Sequence, residues 1–136
     1  MIKKDALQEA VAKFSHQPYV PYKTDCFVFV MEVLDELGIV PQLPGNEPCN
    51  NLRELYHYAE GTLVFKKKDL KRGDLIFFSR KGRGAAHVGI YLTRGMIVHC
   101  SKARGGVSTE PLDEMLQRYV AFMPFGYPWI AKRMRR

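Results

Sequence analysis

Two runs, His87 to Leu92 and Met96 to Cys100, flank Thr93-Arg94-Gly95 and constrain this chain more than any other feature. They read as the arms of one β-hairpin. A three-residue loop sets Leu92 opposite Met96, His99 opposite Gly89 and His87 opposite Ser101. Both imidazoles then project from one face as diagonal neighbours, about 7–8 Å apart at Cα. Gly89 leaves room across from His99. The other face carries Val88, Ile90, Leu92, Met96, Val98 and Cys100, an almost wholly apolar set. The expectation is one core face and one face holding the polar groups. A two-residue loop would slip the register by one, send the histidines to opposite faces and break the apolar stripe.

A second segment, Thr24-Asp25-Cys26-Phe27-Val28-Phe29-Val30, reads as a helix start with a thiol in its first turn. The helix is expected from about Asp25 to Leu37, capped by Thr24 or Asp25, ended at Gly38 and followed by Pro41. Cys26, Phe29, Val30, Val33, Leu34 and Leu37 share one face, with Glu32, Asp35 and Glu36 away from it. A thiol is a nucleophile as thiolate, and a helix N-terminus and a nearby imidazole both favour that form.

Elsewhere, Ala6, Leu7, Ala10, Val11 and Phe14 recur at helical spacing, and Pro18 and Pro21 end that helix in an extended stretch carrying Tyr19 and Tyr22. Residues 42–50 read as loop. Leu52, Leu55, Tyr56 and Ala59 suggest a short helix capped by Asn50 or Asn51. Leu63-Val64-Phe65 suggests a short strand, and Lys71-Arg72-Gly73-Asp74 a turn into the strand Leu75-Ile76-Phe77-Phe78. Arg80 to Ala85 is a basic, Gly-rich loop. Thr109-Glu110-Pro111 reads as a helix start with Pro at the first helical position, continued by Leu112, Met115, Leu116 and Tyr119. Val120 to Met123 suggests a last strand.

A chain of 136 residues suits one domain with its own core, and no repeat, low-complexity segment or second domain is visible. No apolar run is long enough to cross a bilayer. Met1 to Glu9 holds two lysines with no apolar stretch behind them, a poor secretory signal. Localisation stays open between retention in the cytoplasm, another export route and a leader already removed. Three cysteines at unrelated spacings argue against a disulfide framework and a Cys-x-x-Cys site, and Cys49 and Cys100 read as inert thiols. His16 and His57 read as ordinary structural histidines. The net charge of +7, with a tail Lys132-Arg133-Met134-Arg135-Arg136, reads mostly as solvated surface. No nucleic-acid fold signature accompanies it. Zinc accepts ligands such as Cys26, His87 and His99, but no carboxylate or second cysteine stands in a ligand motif, so a metal site ranks below catalysis.

At these residues the sequence resembles the NlpC/P60 family of papain-like cysteine peptidases. The resemblance runs from about Pro18 to Pro111. It covers the Asp-Cys helix opening, Gly73-Asp74-Leu75-Ile76-Phe77-Phe78, His87-Val88-Gly89-Ile90-Tyr91-Leu92 and Met96-Ile97-Val98-His99. It implies an α+β fold, with N-terminal helices packed on a small antiparallel sheet. It also implies cleavage of amide bonds in bacterial cell-wall peptides, often between D-γ-glutamyl and a diamino acid, without a cofactor. By position, Cys26 is the implied nucleophile, His87 the base and then acid, and His99 the group that orients His87. Tyr19 or Tyr22 is expected to line the site, with Tyr19 favoured by the Pro18-Tyr19 pair. The Cys26 N–H is expected to hold the oxyanion, and Asp25, Phe27 and Gly89 complete the expected substrate-side set. Phage carriage or delivery by a secretion machine would accommodate the missing signal.

The family's usual Asp-Cys-Ser-Gly-Phe stands here as Asp25-Cys26-Phe27-Val28-Phe29, and the glycine-rich loop before the cysteine is shorter. Bulky apolar residues beside the nucleophile keep a second reading open, a thiol acyltransferase or thioesterase acting on lipids. The cysteine preceding the histidine favours the peptidase. A third reading, a non-catalytic basic module binding an anionic wall polymer or nucleic acid, rests on the net charge.

Overall fold

The computed structural model describes residues 5–58, 61–64, 66–79, 85–118 and 129–134. Helix α1 spans Ala6–Phe14, α2 Cys26–Glu36 and α3 Leu52–Tyr58. They precede strands β1 (Gly61–Val64), β2 (Leu75–Ser79), β3 (Ala85–Tyr91), β4 (Met96–Ser101) and β5 (Gly106–Pro111). Helix α4 (Leu112–Arg118) and strand β6 (Trp129–Met134) follow. The strands form one antiparallel sheet in the order β1-β6-β2-β3-β4-β5.

Four of the helix ends have a local cause. The Asp5 carboxylate accepts from Gln8 N–H at 2.8 Å and caps α1. The Asp25 carboxylate accepts from Val28 N–H at 2.9 Å and caps α2. At the other end of α2, Gly38 adopts φ +78°, and its N–H and that of Ile39 bond back to the Asp35 and Leu34 carbonyls. This paired closure needs a left-handed residue, which glycine takes at no steric cost. Asn51 accepts from Glu54 N–H at 2.9 Å while Glu54 accepts from Asn50 N–H at 2.8 Å, so α3 starts with a reciprocal cap.

The apolar stripe of α2 (Phe29, Val30, Val33, Leu34) is buried on the sheet with Leu75, Phe77, Val88, Ile90, Val98 and Cys100. The expected hairpin register holds: Ile90 pairs with Val98 and Tyr91 with Ile97, around a turn in which Arg94 and Gly95 both have positive φ. The expectation of a single core face does not. Ile76, Phe78 and Ile97 are buried on the opposite face with Leu112, Met115 and Ala131. Helix α4 covers that face, so the histidine side of the hairpin is interior too.

Two strands correct the sequence reading. Gly106–Pro111 is strand β5, paired along its length with β4, so Glu110 lies in a sheet and the helix starts one residue after Pro111. Residues 129–134 insert as β6 between β1 and β2. Lys132 and Arg133, expected in a solvated tail, are therefore sheet residues. Lys132 is buried and donates to the Tyr56 carbonyl at 3.2 Å. Arg133 holds the buried Asp74 through two bonds of 2.8 and 2.9 Å. The expected strand over Val120 to Met123, and Phe65, Ala59 and Tyr119, lie outside the described residues, as does most of the Arg80 to Ala85 loop.

Candidate active site

Asp25 shapes the entry to α2. One carboxylate oxygen caps Val28 N–H and the other accepts from Tyr22 N–H at 3.1 Å, which folds the preceding turn against the helix start. The Cys100 thiol, in the middle of β4, donates to the Thr24 carbonyl at 3.1 Å and ties that turn to the sheet. This is a structural task, in keeping with the inert reading of Cys100. The chain before the turn is held as well: Tyr19 N–H donates to the Gly105 carbonyl at 2.9 Å. The position of Cys26 thus follows from a capped helix and from anchors to β4 and to the β4–β5 turn.

The Val88 backbone N–H acts on the Cys26 thiol and favours its charged form, so the sulfur lies near β3, one residue along from His87. Burial pushes this thiol up to about 11, and the neighbouring Asp25 carboxylate adds to the rise. The N–H groups of Val88, Phe27 and Cys26 pull the other way but do not compensate. Burial therefore opposes the thiolate that a helix N-terminus favours. Desolvation of an anion outweighs a few amide dipoles.

His87 and His99 do converge. The Nε2 atom of His87 lies 2.6 Å from Nδ1 of His99, with the rings edge-on at a centroid distance of 4.8 Å. His99 is fully buried and His87 nearly so. Phe78, opposite His87 on β2, places its ring 5.9 Å away and backs the imidazole. Gly89 supplies the close approach. A Cβ there would meet Ile97 Cγ2 at 2.6 Å, the Val98 carbonyl at 3.1 Å and His99 Cβ at 3.3 Å. Its space is filled by the neighbouring strand.

A further residue joins the two histidines. Glu110, buried near the end of β5, places one carboxylate oxygen 2.6 Å from His99 Nε2. Arg104, in the β4–β5 turn, donates to the other at 3.0 Å. Reading 109–111 as a helix start hid this residue. The visible signal was a carboxylate that β5 would present beside the imidazole strand, but only if that strand had been recognised.

Of the tyrosines, Tyr19 packs against the core that holds Cys26. Burial raises its phenol, and charge on Cys26 or Asp25 raises it further, so the ring stands near the thiol. Tyr22 is 92% exposed at φ 64° and turns to solvent. Phe27 packs partly against the helix-side core. His16 and His57 are exposed and distant in role. Among the described residues no cluster of metal-ligating side chains forms. No helix is long and apolar enough to cross a membrane among the described residues.

This arrangement can be set beside known proteins. Murein DD-endopeptidase MepH of Escherichia coli is 34% identical over 62 residues, 45% of this chain and 22% of that protein. Probable endopeptidase YafL of the same organism is 46% identical over 62 residues, 45% of this chain and 24% of that one. The matched part is thus less than a quarter of each relative. Among solved structures, the NlpC/p60 domain of peptidoglycan hydrolase SagA superposes with a TM-score of 0.66 at 21% identity, covering 95% of this chain and 97% of that one. RipD of Mycobacterium tuberculosis, described as a non-catalytic NlpC/p60 domain protein adapted to peptidoglycan binding, gives 0.55 at 16% identity, covering 80% and 89%. At these identities the structures speak to the fold, which they share with the helices and antiparallel sheet seen here. The NlpC/P60 family model matches residues 12–123, spanning the capped thiol, the paired imidazoles and the strands between them, and the chain belongs to that family.

Proposed function

We propose that this protein is a cysteine hydrolase that cleaves amide bonds in peptidoglycan stem peptides. The observation that carries the proposal is a buried imidazole pair, His87 and His99 with ring nitrogens 2.6 Å apart, with His87 on the strand whose Val88 N–H acts on the Cys26 thiol. The substrate class comes from the relatives, which are named as endopeptidases of murein or hydrolases of peptidoglycan. The bond between D-γ-glutamyl and a diamino acid is the finer form of the proposal.

In the proposed reaction, the Cys26 sulfur attacks the amide carbonyl carbon as its proton passes to His87. Burial disfavours a standing thiolate, so His87 is the group that takes the thiol proton for the attack. The carbonyl oxygen becomes an oxyanion near the Cys26 N–H at the helix start. His87 then returns the proton to the departing amine, leaving an acyl-thioester on Cys26. Water, deprotonated by His87, hydrolyses the thioester, and the thiol regains its proton. His99 orients His87 throughout, and Tyr19 borders the nucleophile.

The experiment is digestion of defined muropeptides followed by mass spectrometry, wild type beside Cys26→Ala. The expected result is a cut at one amide bond that disappears in the variant. Identical products from the variant would remove the catalytic role. A binding reading is favoured by one observation, the RipD structure, whose fold persists without catalysis. Unchanged muropeptides retained by the wild-type protein would select it. Release of fatty acid from a thioester or phospholipid, motivated by Phe27 and Val28, would select the lipid-directed reading.

A further inference from the structure

We propose that Glu110, held by Arg104, is a positioning residue for the reaction above: its carboxylate orders the protons of both imidazoles and balances the charge that His87 acquires. The inference rests on the proposed hydrolase reading for its function, and on the distances for its geometry.

Proton bookkeeping follows from the contacts. An ionised carboxylate only accepts hydrogen bonds, so His99 Nε2, 2.6 Å from Glu110, is the donor. A neutral ring protonated at Nε2 carries its lone pair on Nδ1. His87 Nε2, 2.6 Å from that atom, is therefore also a donor. The lone pair of His87 then resides on Nδ1, the nitrogen turned away from His99. When His87 takes the Cys26 proton at Nδ1, both bonds in the relay survive and no proton moves along it. The positive charge formed on His87 is offset by Glu110 through His99. Reversing the relay would place a proton on His87 Nδ1 and remove the base.

The surroundings support this order. Glu110 is buried, and a lone buried carboxylate is costly unless a cation and donors compensate it. Arg104, with about half of its side chain exposed, bonds the second carboxylate oxygen and supplies that cation. On the neighbouring elements the titratable or charged groups include Cys26 and Asp25 at the start of α2 and Arg104 in the β4–β5 turn, and Ser108, opposite His99 on β5, is uncharged. Phe78 on β2 contributes a ring without charge.

The test uses Glu110→Gln and Arg104→Gln, each near-isosteric, with two readouts. One is the pH dependence of kcat/KM on a muropeptide. The other is a titration of the imidazole nitrogens by NMR, which needs no substrate. Glu110→Gln keeps an acceptor for His99 but deletes the charge. The acidic limb and the His87 NMR midpoint should move down by about one pH unit, and plateau kcat should fall up to about tenfold with KM unchanged. Arg104→Gln removes the opposing cation, so the same two quantities should move up. Opposite displacements separate an electrostatic role from simple loosening, which would move both variants alike and change KM. Shifts of the same sign, or none in Glu110→Gln, overturn the proposal. If the wild type cleaves no muropeptide while the NMR midpoints move as stated, the hydrolase reading fails and the ordering of the relay stands.

Discussion

Arg133 is the sharpest test of how the end of the chain is built. Its guanidinium donates Nε to one Asp74 oxygen at 2.8 Å and a terminal nitrogen to the other at 2.9 Å, and also bonds the Asp69 carbonyl. Asp74 is 1% exposed and accepts a third bond, from Lys71 N–H at 2.8 Å. Arg133→Met keeps most of the stem and deletes the charge, leaving a buried carboxylate with one remaining backbone donor. Breaking a fully buried pair costs about 3–5 kcal/mol. The guanidinium is 36% exposed, which screens the pair and lowers the expectation to about 2–4 kcal/mol. For 136 residues the unfolding entropy is about 0.3 kcal/mol/K, so Tm should drop by about 7–14 °C. Urea or thermal unfolding followed by circular dichroism measures this. The double variant Asp74→Asn with Arg133→Met should recover part of the loss, because no unpaired charge then remains. An Arg133→Met protein within about 0.5 kcal/mol of wild type would refute the reasoning. So would a double variant weaker than the sum of the single ones.

Gly89→Ala should destabilise by about 1–3 kcal/mol through the 2.6 Å clash with Ile97 Cγ2, and the cost should shrink in an Ile97→Ala background. Denaturant midpoints of the four proteins decide it, and an unchanged Gly89→Ala midpoint would count against the close approach. Alkylation of Cys26, followed by peptide mass spectrometry, should still accelerate above pH 9, because a thiol near 11 holds only about a thousandth of its population as thiolate at pH 8. A rate already flat by pH 7 would mean a resting thiolate instead.

Local rules carried the sequence reading where structure is local. Asp25 caps α2 because a side-chain oxygen two or three residues before an unpaired N–H is a short-range arrangement. The hairpin register followed from loop length and strict alternation, and with it the meeting of His87 and His99. Resemblance supplied the role expected of each residue, and the family model matches the chain over residues 12–123. The reading failed where partners are remote. A strand such as 129–134 shows no alternation of polar and apolar residues that announces it. Its basic residues make sense only beside Asp74 and the Tyr56 carbonyl, 59 and 76 residues away in sequence.

The amino-acid sequence by itself determined the helix carrying the thiol, the hairpin carrying the imidazoles and the side of the ribbon they share, because each depends on neighbours within one or two turns or one tight loop. Only the tertiary structure decided how wet those groups are and what stands behind them. Packing α4 and the helix layer on opposite faces of the sheet excludes water from His99 and raises the Cys26 thiol. Pairing β5 with β4 brings Glu110 to His99. Desolvation and charge pairing depend on every chain segment that reaches a point in space, and that sum is taken after folding.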